Sequence, residues 1–154
     1  MAALLAALAL AVPHAGVVVP GKSFGGLELG ATPAQVRAAW GTRYGICRRC
    51  KQTTWYFNET PFEPQGAGVE FRSGRAFAFF TLWQPSGWRT REGLQIGEPE
   101  ARVSAVYGSL LRTSCGAYDT LRIRRAGIDT HVYIRQGTVY GFGLSRAAAP
   151  PCRK

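Results

Sequence analysis

Two stretches of this chain repeat one pattern of apolar and polar positions. Residues 26–41, GLELGATPAQVRAAWG, and residues 93–108, GLQIGEPEARVSAVYG, stand 67 positions apart and are identical at seven of sixteen. In the first copy Thr32 suits a helix N-cap, Pro33 the first helical position, and Gln35 the far side of a capping box. Val36, Ala39 and Trp40 fall at i, i+3 and i+4, which predicts one apolar helix face, and Gly41 is placed to end the helix. Pro99, Val103, Val106, Tyr107 and Gly108 hold the same places in the second copy. Each phrase therefore predicts a tight turn and one amphipathic helix of about ten residues.

The correspondence continues beyond the helices. TTWYFN (53–58) is answered by TLRIRR (120–125), and VEFRSGRAFAFF (69–80) by VYIRQGTVYGFG (132–143). Each member of the second pair predicts a strand, a turn at Gly74 or Gly137, and a returning strand. The expected fold is α+β: two tandem repeats, each a short helical segment plus an antiparallel sheet of about three strands. The expected boundaries are repeat 1 at 22–83, a linker at 84–90, repeat 2 at 91–146 and a tail at 147–154. One such unit makes a thin core, so the copies are expected to pack together. Strand alternation assigns Trp55, Phe57, Val69, Phe71, Ile123, Val132 and Ile134 to the core. It assigns Tyr56, Glu70, Arg72, Arg122, Arg124, Tyr133 and Arg135 to the opposite side.

Charge adds a second theme. The 154 residues carry 19 Lys and Arg against 9 Asp and Glu, a net charge of +10. Such a surface favours anionic partners, although Arg filling ordinary solvated positions would give the same count. Arg122, Arg124, Arg135 and Tyr133, with Tyr56 on the first half, form the candidate contact face for an acidic or planar partner. Trp83 and Trp88, flanking the turn between the halves, are candidate contacts too, or packing residues at the junction. Aromatic and basic residues on a sheet also suit single-stranded nucleic acid, a partner that export would argue against.

The address is read at the start. Residues 2–12, AALLAALALAV, form an apolar run too short to span a bilayer and of the length of a signal-peptide core, although no basic residue precedes it. The expectation is a signal peptide over 1–15, the alternative a buried helix or strand. No Cys stands near the run, so a lipid anchor is not expected. Cys47, Cys50, Cys115 and Cys152 are even in number, which in a small exported protein reads as two disulfides with three pairings open. The CRRC stretch, residues 47–50, also suits a redox pair or half a zinc site. A redox pair usually opens a helix after a strand, which CRRC does not, and a second CxxC is missing.

Candidate catalytic groups are sparse. His14 lies at the end of the apolar run, and His131 is a lone His beside Asp129 on an expected strand. No phosphate-binding loop, nucleophile elbow, HExxH or paired-carboxylate arrangement occurs in the sequence. No cofactor is called for.

The tandem phrase, followed each time by a Cys and antiparallel strands, resembles the secreted β-lactamase-inhibitor proteins over roughly residues 24–144. Its helix phrase is also similar to one in the SmpA/OmlA-type outer-membrane-assembly lipoproteins. The resemblance implies two repeats, each with its own disulfide, hence Cys47–Cys50 and Cys115–Cys152. It also places residues 58–68, with Glu59, Phe62 and Glu63, where those inhibitors carry an acidic-tipped loop; β-lactamase inhibition is not inferred from position alone. The sequence reading is thus an exported, non-catalytic binding or inhibitor-like module for a protein or an acidic envelope polymer. A thiol-disulfide redox protein using CRRC and a basic nucleic-acid-binding protein are the alternatives.

Overall fold

In the computed structural model, residues 15–57, 66–82 and 87–152 are described. The expected signal segment with His14, the loop carrying Glu59, Phe62 and Glu63, and Trp83 lie outside them.

The chain runs β1 (Ala15–Val19), β2 (Ser23–Phe24), β3 (Leu27–Glu28), α1 (Pro33–Trp40), β4 (Gly45–Ile46), β5 (Thr53–Phe57), β6 (Gly66–Arg72) and β7 (Arg75–Leu82). It continues through β8 (Gly87–Thr90), α2 (Glu100–Tyr107), β9 (Leu111–Ser114), β10 (Asp119–Arg125), β11 (Ile128–Arg135) and β12 (Thr138–Arg146). The strands form a four-stranded sheet, ordered β3-β2-β1-β8, and an eight-stranded sheet, ordered β4-β5-β6-β7-β12-β11-β10-β9.

This architecture corrects the expected fold class. The protein is mostly β, with two large sheets, and is not a pair of repeats each holding one helix and a three-stranded sheet. The reason lies at β7 and β12. Separate sheets would leave both as open edges with unpaired backbone groups. They pair instead, from Gly141 opposite Leu82 to Ser145 opposite Ala78, and one antiparallel sheet runs through both halves. The stretch read as a linker is likewise structural: β8 pairs parallel with β1, Gly16 opposite Trp88.

The repeated phrase itself folds much as its pattern dictates. Thr32 caps α1, its hydroxyl accepting from Gln35 N–H at 3.2 Å while the Gln35 carboxamide accepts from Thr32 N–H at 2.8 Å. Val36 and Trp40 are buried, but Ala39 is exposed. In the second copy Pro99 stands at the cap position, where it offers no side-chain acceptor. The turn before each helix is tied to the sheet in the same way. Gly30 N–H donates to the Ala76 carbonyl and Ala76 N–H to that of Ala31, as Gly97 donates to Val139 and Val139 to Glu98, all at 2.8 Å.

One main core lies between the two sheets and the helices, and all seven residues assigned to it from alternation are there. Its centre is aromatic. Trp40 lies edge-on to Phe57 at 5.4 Å, Phe79 at 5.6 Å and Trp88 at 5.8 Å, and its indole N–H donates to the Gly25 carbonyl at 3.0 Å. Gly25 has φ +55°, and a Cβ there would fall 2.5 Å from the Trp88 ring, so only glycine fits. Tyr107, the counterpart of Trp40, is half-buried and donates its hydroxyl to Glu92 at 2.7 Å. Two disulfides form, Cys47–Cys50 and Cys115–Cys152, the latter bringing the C-terminal tail against the end of β9. They fit an oxidising compartment. Among the described residues no helix is long and apolar enough to cross a membrane.

Candidate functional site

The face of the eight-stranded sheet away from the main core is where the candidate contact residues were expected. Register places Arg122 opposite His131 and Arg124 opposite Asp129, with Thr120 opposite Tyr133, so these side chains do share that face. Their environments differ from the expectation. Tyr133 is fully buried and cannot serve as an exposed flat contact. It packs edge-on to Tyr118 at 5.3 Å and parallel to His131 at 6.2 Å. It also lies so close across β12 that a Cβ on Gly143 would come 2.1 Å from its hydroxyl. Phe80 covers Gly68, its cross-strand partner, in the same manner. With two of its aromatic side chains reaching over glycines, this face holds a small second core of Phe80, Tyr118 and Tyr133.

The arginines of the second half are largely engaged. Arg124 donates through Nε and Nη2 to both Asp129 oxygens, at 2.7 and 2.9 Å. This hydrogen-bonded pair holds the Asp129 carboxyl below its ordinary range and raises Arg124. Arg112 is paired with both Glu100 and Asp119, and Arg135 lies over the Tyr140 ring at 5.4 Å. A polar hollow of about 210 Å³ bounded by Glu100, Arg112, Asp119 and Arg135 therefore carries internally balanced charge. His131 is buried between hydroxyls, Nδ1 to Thr120 Oγ1 at 3.0 Å and Nε2 to Ser145 Oγ at 3.3 Å. With Ser145 fully buried as well, this is an interior polar network without access for a substrate. Trp88 is also fully buried, a core residue and not a contact.

Tyr56 lies elsewhere. Strands β6, β7 and β12 separate its strand from β11, so it sits roughly 19 Å from Arg135 on β11 and roughly 24 Å from Arg122 and Arg124 on β10 at the usual strand spacing. It borders a hollow of about 370 Å³ whose described lining is Ile46, Cys47, Arg48, Arg49 and Tyr56. Cys47 N–H donates to the Thr54 carbonyl at 2.9 Å, which carries the β4–β5 ladder up to the disulfide. The disulfide closes the turn three residues on, with Arg48 and Arg49 both exposed between its sulfurs. Neither guanidinium has an ion-pair partner among the described residues. The Tyr56 hydroxyl stands 3.9 Å from Cys50 Sγ. Burial, and then the negative charge of Glu70, push its ionisation above the usual phenol range, so it presents a neutral hydroxyl. An apolar hollow with two exposed cations at its rim can hold an apolar group joined to an anion.

The sequence reading named Tyr56 but passed over Ile46, Arg48 and Arg49. A signal was there: two adjacent arginines inside a closure of three residues have little room to fold back on the protein. Among the described residues no three His, Cys, Asp or Glu side chains converge as a metal site.

No family model matches the chain, and no curated protein matches it. Among solved structures it is similar to a DUF4309 family protein, YjgB of Bacillus subtilis, with a TM-score of 0.52 and 11% identity. The match covers 82% of this chain and 88% of that one, and it shows a shared fold alone.

Proposed function

We propose that this protein is an exported binding module that recognises an anionic partner and carries out no catalysis of its own. The observation that carries the reading is the hollow at the Cys47–Cys50 turn, where Arg48 and Arg49, exposed and without an ion-pair partner among the described residues, stand beside an apolar floor. In the second half, by contrast, Arg124, Arg112 and Arg135 are spent within the fold, on Asp129, on Glu100 and Asp119, and on the Tyr140 ring. The net charge of +10 would speed encounter with such a partner. Export is supported by the apolar run at 2–12 and by two disulfides. An acidic protein is the leading partner and an acidic envelope polymer the second. An inhibitor-like role belongs with the resemblance to the β-lactamase-inhibitor proteins.

The test has two parts. Expression of the full chain in a bacterial host, with fractionation and N-terminal sequencing of the product, should find it outside the cytoplasm and shortened within its first residues. Surface-plasmon measurements against an immobilised acidic protein, polyglutamate and single-stranded DNA should show saturable binding to the first that falls with salt. Preference for DNA would sink the reading in favour of nucleic-acid binding. Turnover in an insulin-reduction assay would do so in favour of a CRRC redox protein.

A further inference from the structure

Among the described residues two large hydrophobic side chains are exposed, Ile46 at 49% and Leu111 at 57%. They occupy the two outermost strands of the eight-stranded sheet, β4 and β9. An apolar side chain on an open edge invites pairing with another strand. The edges differ in what surrounds them. At β9, Arg112 is neutralised by Glu100 and Asp119, and Cys152 of the C-terminal tail touches the Ser114 carbonyl at 3.8 Å. At β4 the nearest cations, Arg48 and Arg49, have no ion-pair partner among the described residues, and the hollow opens beside them.

Among the described residues the backbone groups of Ile46 have no hydrogen-bond partner. Gly45 pairs with Tyr56 and Ile46 with Trp55, and Cys47 N–H is given to Thr54. In an antiparallel ladder the groups facing the partner strand alternate, so those of Ile46 point away from β5 toward the open edge. Hydrogen-bonding groups, an apolar hollow and two cations thus meet at one place. From this we infer, on the basis of the binding reading above, that the β4 edge takes an extended acidic peptide segment. The segment adds as a strand beside Ile46, lays one apolar side chain in the hollow, and sets its carboxylates on Arg48 and Arg49. A second copy of this chain is disfavoured as the occupant, because two molecules of charge +10 repel.

The test is fluorescence anisotropy with a short labelled peptide alternating Asp with Phe and Val, against the full disulfide-bonded protein. Saturable binding is expected. The double variant Arg48→Gln/Arg49→Gln should weaken it by about tenfold or more, and Ile46→Pro, which removes the outward N–H, by a similar factor. Proline is tolerated at such an edge position, and Ile46→Lys provides a second probe of the same contact. The charge-matched control Arg89→Gln/Arg146→Gln, at exposed positions elsewhere, should change affinity by less than about threefold. Equal losses in the two double variants would overturn the localised site while leaving an anionic partner in place. Equal binding of a peptide with Gly in place of Phe and Val would overturn the role of the hollow. If neither the peptide, an acidic protein nor polyglutamate binds, this inference and the binding reading fall together.

Discussion

At the scale of single residues, polar groups inside the sheet give opposite expectations at two sites. Thr81 is fully buried on the core face, and its hydroxyl has no hydrogen-bond partner among the described residues. Thr81→Val keeps the shape and removes the burden, so urea unfolding should show a gain of about 1 kcal/mol. Asp129, buried and gripped by Arg124, should behave in the other sense. Its folded-state ionisation is lowered, so its contribution is complete above the unfolded value of about 3.9 and is lost as pH falls through the folded value. The stability gap between wild type and Asp129→Asn should be full at neutral pH and close in strong acid; a gap that does not change with pH would refute the assignment. Alternation read the side of the sheet correctly at Tyr133 but not its burial. Periodicity reports which way a side chain points, whereas burial depends on Tyr118 and on glycines one strand over.

Among the elements, the helices show how far a local pattern reaches. The Thr32 capping box follows from residues three apart and needs no tertiary context. Thr32→Ala should cost about 1 kcal/mol in urea unfolding, with α1 fraying detected by faster amide exchange at Gln35 and Val36. At α2, Pro99 already lacks a side-chain cap, so Pro99→Ala should not lose a hydrogen bond of this kind. The matched phrases place Trp40 and Tyr107 at the same position of each helix, yet their surroundings differ. Trp40 meets Phe24, Phe57, Phe79 and Trp88, whereas Tyr107 reaches Glu92 at the surface. The divergence lies in what packs opposite each helix, chiefly Trp88 on β8, and a repeat within the sequence cannot show that.

Across the whole molecule, the disulfides close loops of very different length, 3 residues against 37. Removal of Cys115–Cys152 by double Cys→Ser should cost roughly 4 kcal/mol in the chain-entropy account, and removal of Cys47–Cys50 about half as much. Urea titrations of the two variants check the ranking, and equal losses would show that strain or unfolded-state structure dominates. The turns, the helix caps, the inward face of each strand and the even set of cysteines were determined by the sequence itself. The turns, caps and strand faces depend on residues within a few positions of one another, where backbone sterics and the 2.0 and 3.6 periods decide. The tertiary structure alone decided the joining of β7 to β12 into one sheet and the burial of Trp88 and Tyr133. These depend on pairing between strands far apart in the chain, and a strand's own pattern of side chains does not say which edge it will meet.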